Sequence, residues 1–253
     1  MHDKIKLIEK RINSLEKSLE SCSLCPRACG INRLDGQKGY CGVDSRVVVY
    51  TSFLHRGEEP AISGDTGSGT IFFSGCNLGC VYCQNYKFSQ AIQGNVLTSL
   101  ELCDLMLNLQ KQGARNINLV TPTHFLPQIL KALEAAFSKG LNIPIVYNTS
   151  GYEKKDIIEN LSGIIDVYLA DFRYFDVDTA SLYSNAKDYP FYAKESILEM
   201  DKQKPDPIFN GKLLKEGLVI RHLVFPGHID ESKKILSWIK QNTPKALLSL
   251  MFQ

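Results

Sequence analysis

The sequence has no apolar run that approaches the roughly 20 residues of a membrane-spanning helix, which argues against an integral membrane protein. It also lacks a block of positive charge, because 29 basic residues nearly balance 27 acidic ones and leave a formal net charge of +2. Nucleic-acid and membrane-surface binding normally need such a block, so neither partner is indicated. The start, MHDKIKLIEKR, is too charged for a signal peptide, and we expect a cytoplasmic protein.

Cysteine, in contrast, is abundant, with eight residues. Disulfide scaffolds are typical of small secreted proteins, whereas 253 residues that are 44% hydrophobic can bury a substantial core. We therefore predict reduced thiolates that bind metal. Seven of the eight cysteines form two groups between Cys22 and Cys83, while Cys103 stands alone in the helical pattern LELCDLMLNL and is predicted to be a buried core thiol.

The apolar pattern divides the chain into two parts. Residues 3–20 place apolar side chains three and four positions apart, which predicts an amphipathic helix packed on its own domain. Residues 21–69 are rich in Cys, Gly, Arg and Ser and include the apolar run VVVYTSFL, so we expect a metal-stapled loop region and one strand. We predict a metal-binding extension over residues 1–69 and a main domain over residues 70–253.

The main domain is predicted to be α/β, a partial (βα)6 TIM-like barrel with a parallel sheet, because short apolar runs alternate with helical periods. The predicted strands are TIFFSG, NINLVT, PIVYN, DVYLAD, LVIRHLVF and ALLSLM. Helical patterns lie near residues 98–112, 125–139, 153–161, 178–203 and 230–242. The segment KPDPIFNGK is predicted to be a surface loop, because it combines two prolines with Gly and Asn.

Polar segments follow the predicted strands, where parallel α/β folds place their chemistry. They read SGCNLGCVYCQN, TPTHF, NTSGY, DFRYFD and FPGHID. In the fifth predicted strand, His222 is interpreted either as a barrel-interior residue or as a core histidine. Before the first of these strands, His55 and the pair Glu58-Glu59 are predicted to lie in a solvated loop, with the substrate side of the site as the alternative.

The first strand-end segment contains a CxxxCxxC motif formed by Cys76, Cys80 and Cys83. Three thiolates on one loop can ligate three irons of a cubane cluster and leave the fourth iron open to a substrate or cofactor. A zinc loop is the alternative. Zinc would need a fourth ligand, and no nearby Cys or His supplies it.

The second cysteine group comprises Cys22, Cys25, Cys29 and Cys41. Four soft ligands at short spacings predict a closed site that holds either zinc or an iron–sulfur cluster. The spacing does not choose between the two metals, although we favour iron–sulfur. Such a site would relay electrons or contact substrate, or else act as a structural staple for a region with little core.

The CxxxCxxC motif, with Tyr82 before its third cysteine, resembles the radical S-adenosylmethionine (SAM) superfamily. Gln84-Asn85 resembles the Cys-His-Asn that follows the motif in pyruvate formate-lyase activating enzymes. The longer series CPRACGINR, EEPAISG, FFSGCNLGCVYCQNY, TPTHF, VYNTSGY, YLADFRYFD and IRHLVFPG resembles the PflX-like branch over nearly all of residues 22–253. The resemblance to this family suggests that further residues would normally follow the sixth strand.

The resemblance implies a [4Fe-4S] cluster on the CxxxCxxC cysteines and SAM on its open iron. The residues it implies at the SAM site are Tyr82 and Asn85 in the cluster loop, Thr121 and Thr123 where relatives bind the SAM amino group, Asn148 and Thr149 after the third strand, and Asp171 and Arg173 after the fourth. Arg173 would pair with the SAM carboxylate, since a guanidinium offers two parallel donors. For any one of these residues, ordinary capping of a strand end is the alternative.

The implied reaction begins when a one-electron donor such as flavodoxin or ferredoxin reduces the cluster. SAM is then cleaved to methionine and a 5′-deoxyadenosyl radical, which abstracts hydrogen from a partner. The leading expectation is activation of a glycyl radical enzyme. The alternatives are radical modification of a small molecule, peptide or protein side chain, and a non-catalytic iron–sulfur or zinc module for binding or electron transfer.

Overall fold

The computed structural model describes residues 2–252, which form nine strands. These are β1 (Val47–His55), β2 (Ser68–Phe73), β3 (Asn95–Leu97), β4 (Ile117–Val120), β5 (Ile145–Thr149), β6 (Val167–Asp171), β7 (Ile208–Asn210), β8 (Leu213–Val224) and β9 (Leu247–Phe252).

The helices surround the sheet, and most of them lie between consecutive parallel strands. They are α1 (His2–Lys17), α2 (Pro60–Ser63), α3 (Tyr86–Ser89), α4 (Ser99–Lys111), α5 (Leu126–Ser138), α6 (Lys155–Glu159), α7 (Val177–Ser184), α8 (Tyr189–Gln203) and α9 (Ile229–Asn242). A 3-10 turn over Thr123–Phe125 precedes α5. None of the helices within residues 2–252 combines the length and apolarity that crossing a bilayer requires.

The strands form one sheet in the order β3-β1-β2-β4-β5-β6-β8, and both β7 and β9 pair with β8. The neighbours from β2 through β4, β5, β6 and β8 to β9 are all parallel, and these are the six strands predicted from sequence. The α/β prediction of a partial barrel is therefore confirmed. The sheet stays open, because in the described part of the chain no pairing joins β7 or β9 back to β3.

Alternation along the parallel strands separates two apolar layers. Tyr147 and Tyr168 belong to the large core between the sheet and its helices. Val146, Val167 and Leu169 belong to a small cluster on the other face, in the concave interior. The interior cluster has members on β5, β6 and β8, and polar residues follow it toward the carboxyl ends of these strands.

The residues before the barrel are joined to it closely. Helix α1 packs against α5 through Ile8, Ile12 and Leu15, and Lys4 forms an ion pair of 2.7 Å with Asp166. This confirms the prediction of an amphipathic helix packed on its own domain. Strand β1 pairs antiparallel with β2 and continues the main sheet. The division at residues 69 and 70 stays a prediction.

Two local predictions were wrong. The single helix over 178–203 is two helices, because Asn185 adopts a left-handed conformation (φ 51°) that ends α7, and Pro190 lies in the first turn of α8. The predicted loop KPDPIFNGK contains β7, which pairs with the start of β8 through a two-residue turn at Gly211-Lys212. Glycine is favoured at the first position of such a hairpin turn, and Gly211 has the positive φ (60°) that the turn requires.

Candidate functional site

The first cysteine loop leaves the end of β2 with a sharp turn at Gly75, where φ is +86°. A Cβ at this position would lie 2.5 Å from the carbonyl oxygen of Cys41, so the loop can approach that segment only because residue 75 is glycine. The backbone N–H of Leu78 donates to the sulfur of Cys76 at 3.4 Å. This turn directs Cys76 toward the other two cysteines of the motif.

The three motif cysteines lie close enough to interact electrostatically. Burial raises the pKa of Cys76 to about 12, and the neighbouring Cys80 and Cys83 act in the same direction, whereas Arg173 opposes them. A buried cluster of thiols favours its neutral form unless positive charge compensates the thiolates. A metal centre would supply that compensation.

The sulfur of Cys80 accepts hydrogen bonds from two side chains. The hydroxyl of Ser184 donates to its sulfur at 2.8 Å, and the Nη1 of Arg173 donates at 3.4 Å. Ser184 also contacts the Tyr174 hydroxyl at 2.7 Å, and Tyr174 in turn contacts Tyr82. Sequence analysis identified Tyr82 and Arg173 but missed Ser184 and Tyr174, because Ser184 reaches the site from α7 with no local motif.

Asp171 holds the two arginines of the site. Its carboxylate accepts from Arg173 Nη2 at 2.5 Å and from Arg221 Nε at 2.8 Å. Burial alone would raise the pKa of Asp171, but the charges of Arg221 and Arg173 outweigh burial and hold that pKa below its ordinary value. Asp171 therefore remains an anion that fixes both guanidinium groups, including the one aimed at Cys80.

Glu58 lies inside the barrel, and the prediction of a solvated loop was wrong for this residue. Its side chain is 10% exposed and forms an ion pair with Arg221 at 3.3 Å. Asn118 and Asn148 donate their side-chain amides to the same carboxylate at 2.9 and 3.3 Å. The segment before β2 returns into the interior, which short-range sequence patterns do not reveal.

The fifth parallel strand places its two polar residues on opposite faces. Arg221 points into the interior and also donates to Asn148 at 2.8 Å. His222 is 1% exposed and bonds the carbonyl of Phe172 and the hydroxyl of Ser232, each at 2.8 Å. His222 is therefore a core histidine. The two-residue alternation of a strand was the signal that could have identified Arg221 as the interior residue.

The second strand-end loop is joined to the third. Thr121 has a positive φ of 57°, and its N–H donates to the carbonyl of Asn148 at 2.9 Å. The hydroxyls of Thr123 and Thr149 both donate to Oε1 of Glu153. Both threonines are thus directed at a buried carboxyl group that sequence analysis missed.

Glu153 is fully buried, and burial raises its pKa to about 7 although the threonine hydroxyls act against the shift. His124, in the same loop as Thr123, contacts the carbonyl of Ser74 at 2.8 Å through Nε2, which must therefore donate. Burial lowers the pKa of His124 to about 3, so the ring is neutral. Together these contacts fix the second and third loops against the cysteine loop.

The remaining predicted residues lie at the edge of this network. Asn85 caps the short helix α3, where its carbonyl accepts from the N–H groups of Phe88 and Ser89. The hydroxyl of Ser89 contacts the sulfur of Cys83 at 3.2 Å. Cys103 is fully buried in the main core, as predicted.

The second cysteine group packs directly under the first. Cys22 and Cys25 are buried, and Cys29 and Cys41 are partly buried. Within residues 2–252, no three Cys, His, Asp or Glu side chains, in this group or in the first cysteine loop, converge on one point as the ligands of a single ion would. A second metal centre stays a prediction.

Three comparisons with known proteins bear on the site. The profile of the family described as Radical SAM superfamily matches residues 70–195. A Methanocaldococcus jannaschii protein, "Uncharacterized protein MJ0674", is 31% identical over 258 aligned residues, which cover 98% of this chain and 70% of that protein. A solved structure, "Native anSMEcpe with bound AdoMet", superposes with a TM-score of 0.50 at 15% identity. It covers 71% of this chain, and this chain spans 49% of its length, so the likeness shows the fold.

Proposed function

This chain belongs to the radical SAM superfamily, and from that premise we propose that it is an enzyme that cleaves SAM reductively at a [4Fe-4S] cluster held by Cys76, Cys80 and Cys83. The observation that carries the proposal is the cysteine loop at the end of the first parallel strand, with a guanidinium aimed at one of its sulfurs. Three thiolates leave one iron of a cubane without a protein ligand, which SAM requires.

The residues present fit such a group. The loop offers three thiols as its soft ligands, and its sulfurs accept N–H or O–H donors from Leu78, Arg173 and Ser184. Hydrogen bonds of this kind to ligand sulfur are typical of iron–sulfur sites and tune their reduction potential. The positive charge of Arg173 acts to lower the pKa of Cys76, against the larger effect of burial.

When bound, the cluster supplies the electron that splits SAM into methionine and a 5′-deoxyadenosyl radical. The protein must then hold SAM, exclude water and aim the radical. We assign Arg173, fixed by Asp171, to the SAM carboxylate. The loops that carry Thr121 and Asn148 contribute carbonyl, amide and hydroxyl groups for the SAM amino group and ribose. Tyr82, in the cluster loop, packs on Phe225 with the ring centroids 4.7 Å apart.

We further propose that the radical activates a glycyl radical enzyme, as the resemblance to activating enzymes suggests. A one-electron donor such as flavodoxin or ferredoxin would reduce the cluster. The alternative is a small molecule or peptide, and the interior network of Glu58, Asn118, Asn148 and Arg221 favours a polar one, because its amide and charged groups could recognise such a ligand.

The central proposal is tested by SAM turnover. The anaerobically reconstituted protein, reduced with dithionite, should release 5′-deoxyadenosine and methionine, and Cys76→Ala, Cys80→Ala and Cys83→Ala should each abolish release. Cys103→Ala is the matched control, since Cys103 is a buried thiol outside both groups. If a motif variant retained turnover, or if the wild type produced no 5′-deoxyadenosine, the proposal would fail and the non-catalytic alternative would stand.

The substrate is tested by isotope transfer. A partner labelled with deuterium at glycine Cα should pass the label into 5′-deoxyadenosine if the chain activates a glycyl radical enzyme, and an electron paramagnetic resonance signal should appear on that partner. Label transfer from a small polar molecule or peptide instead would replace this assignment with the alternative.

A further inference from the structure

The second cysteine group is wound into a compact loop by its own backbone. The N–H of Cys22 donates to the carbonyl of Ile31 at 2.8 Å, and the N–H of Gly30 returns to the carbonyl of Cys22 at 3.0 Å. The N–H of Ala28 donates to the carbonyl of Cys25 at 3.0 Å, with a left-handed φ of 39° at Ala28.

Each sulfur of this group has a nitrogen donor of its own. Arg33 Nη1 lies 3.9 Å from the sulfur of Cys22, and the Tyr40 N–H donates to the sulfur of Cys29 at 3.4 Å. The backbone N–H groups of Arg27 and Val43 act to lower the pKa of Cys25 and Cys41, against the larger effect of burial. The Cys25 and Cys41 contacts have the spacing seen at Cys76, where the donor is also two residues further along the chain. Nitrogen donors aimed at every sulfur suit thiolates, because neutral thiols are weak acceptors.

The group is accompanied by a fully buried arginine. Arg33 is 0% exposed, its Nη2 donates to the backbone carbonyl of Asp44 at 2.5 Å, and its Nε has no partner. The carboxylate of Asp44 is directed to Arg46 instead, so in the described part of the chain no carboxylate forms an ion pair with Arg33. A buried guanidinium without a counter-charge is costly, which indicates that negative charge lies beside it.

Within residues 2–252, the side chain of Arg33 donates hydrogen bonds to that carbonyl and to the sulfur of Cys22. Its Nη1 points to Cys22, and its positive charge also acts on Cys41. If these cysteines are thiolates bound to metal, the ligand set carries the negative charge that the guanidinium lacks. Cysteines in the thiol form would leave Arg33 uncompensated.

The second group also touches the first cysteine loop. The carbonyl of Cys41 lies against Gly75, and the Nε of Arg27 donates to the carbonyl of Asn77 at 2.9 Å. The hydroxyl of Tyr40 approaches Gly79 so closely that a Cβ at position 79 would lie 2.8 Å from it. Zinc is redox-inert and would make no use of this proximity, whereas an iron–sulfur centre could exchange electrons with the first site.

We infer that Cys22, Cys25, Cys29 and Cys41 hold a second iron–sulfur cluster, and that the buried Arg33 is the positioning residue that stabilises its thiolate ligands. The inference does not rest on SAM cleavage. It concerns a site outside the residues that match the radical SAM profile.

The first experiment isolates the second site in the full chain. The variant C76A/C80A/C83A, reconstituted anaerobically with iron and sulfide, should retain about four irons and four sulfides per chain, against about eight of each in the wild type. The converse variant C22A/C25A/C29A/C41A should retain about four irons at the first site. Stoichiometric zinc without sulfide in the triple variant, or no retained metal, would overturn the inference.

The second experiment tests Arg33 in the triple-variant background. Arg33→Met removes the charge but keeps much of the side-chain length, and we expect at least a twofold loss of bound iron and a shift of the visible charge-transfer bands. Arg46→Met is the matched control, because Arg46 is 68% exposed at its side chain and pairs with Asp44, and it should leave the iron content unchanged. Equal iron in R33M and R46M would contradict the role of Arg33.

A folding defect is separated from metal loss by circular dichroism and by Arg33→Lys. The lysine variant keeps the charge and should recover part of the iron if charge is the cause. Failure of the proposed SAM chemistry is also distinguishable. A triple variant that retains its iron, beside a wild type that releases no 5′-deoxyadenosine, would keep the second cluster and reject the SAM assignment.

Discussion

Among single residues, Arg173 has two contacts that matter for the site. Its guanidinium donates to the sulfur of Cys80 at 3.4 Å and is oriented by the carboxylate of Asp171 at 2.5 Å. Arg173→Met should weaken SAM binding by about 10- to 100-fold, since a hydrogen bond to a charged group is worth about 1.5–3 kcal/mol. Isothermal titration with the reconstituted protein measures the change. The exposed Arg115→Met is the control, and an unchanged affinity in R173M would remove Arg173 from the SAM site.

Glu153 should make stability depend on pH in an unusual direction. Burial raises its pKa from 4.5 to about 7. Below pH 4.5 the group is protonated in the folded and the unfolded chain. Between 4.5 and 7 only the unfolded chain loses the proton, so the free energy of unfolding should fall as pH rises, by on the order of 3 kcal/mol in all, and should stay level above pH 7.

The variant Glu153→Gln should remove this fall, because glutamine does not titrate. Urea unfolding at pH 4.5, 5.5, 6.5 and 7.5 should show the free energy of unfolding of the wild type fall along the series relative to that of the variant. The exposed Glu159→Gln is the control and should follow the wild type. Parallel curves for wild type and E153Q would show that Glu153 ionises normally.

At the scale of elements, the break between α7 and α8 depends on Asn185. Its left-handed conformation (φ 51°) costs an ordinary L-residue about 1–2 kcal/mol, and its side chain also donates to Tyr40 at 3.3 Å. Asn185→Ala should therefore lower the free energy of unfolding by about 1–2 kcal/mol, and Asn185→Gly by less than half of that. If both variants lose equal stability, the hydrogen bond rather than the backbone is responsible.

The contact between the two cysteine loops depends on Gly75. Gly75→Ala would place a Cβ 2.5 Å from the Cys41 carbonyl oxygen. Gly113→Ala is the matched control, because Gly113 has a similar φ of +92° but nothing within 4 Å of a Cβ. We expect G75A to cost about 1–3 kcal/mol more than G113A in urea unfolding, as overpacking does, and to lower the iron content. Equal losses would mean that the two loops separate without penalty.

Elements were more predictable than their junctions. Short apolar runs between helical periods located all six parallel strands, because burial on both faces of a parallel sheet makes the strands almost continuously apolar. The hairpin turn at Gly211-Lys212 and the break at Asn185 were missed, since both depend on a positive-φ residue inside an otherwise polar or helical stretch.

The site was predictable where one loop contains all its ligands, as with Cys76, Cys80 and Cys83. It was not predictable where residues distant in the chain converge. Ser184 reaches Cys80 across 104 residues, and Arg221 reaches Glu58 across 163. Such pairs leave no local spacing, although strand alternation favours Arg221 over His222 as the interior residue.

For the whole molecule, the interior network joins both ends of the parallel sheet. Glu58 precedes β2, Asp171 ends β6 and Arg221 lies on β8, so one guanidinium holds two carboxylates from distant parts of the chain. All three side chains are at most 16% exposed. An open sheet has no closing strand pair, and this network supplies a connection across its concave face.

Arg221→Met should therefore cost about 3–5 kcal/mol of unfolding free energy, because it leaves buried carboxylates without their counter-charge. Adding Glu58→Gln to Arg221→Met should restore part of that loss, so the double-mutant cycle in urea should give a coupling of at least about 1 kcal/mol. Arg46 provides the comparison, because its side chain is 68% exposed in its ion pair with Asp44, and Arg46→Met should cost much less than Arg221→Met. Additive effects of E58Q and R221M would show that the two residues do not stabilise the barrel together, and that the open sheet is held by its apolar layers alone.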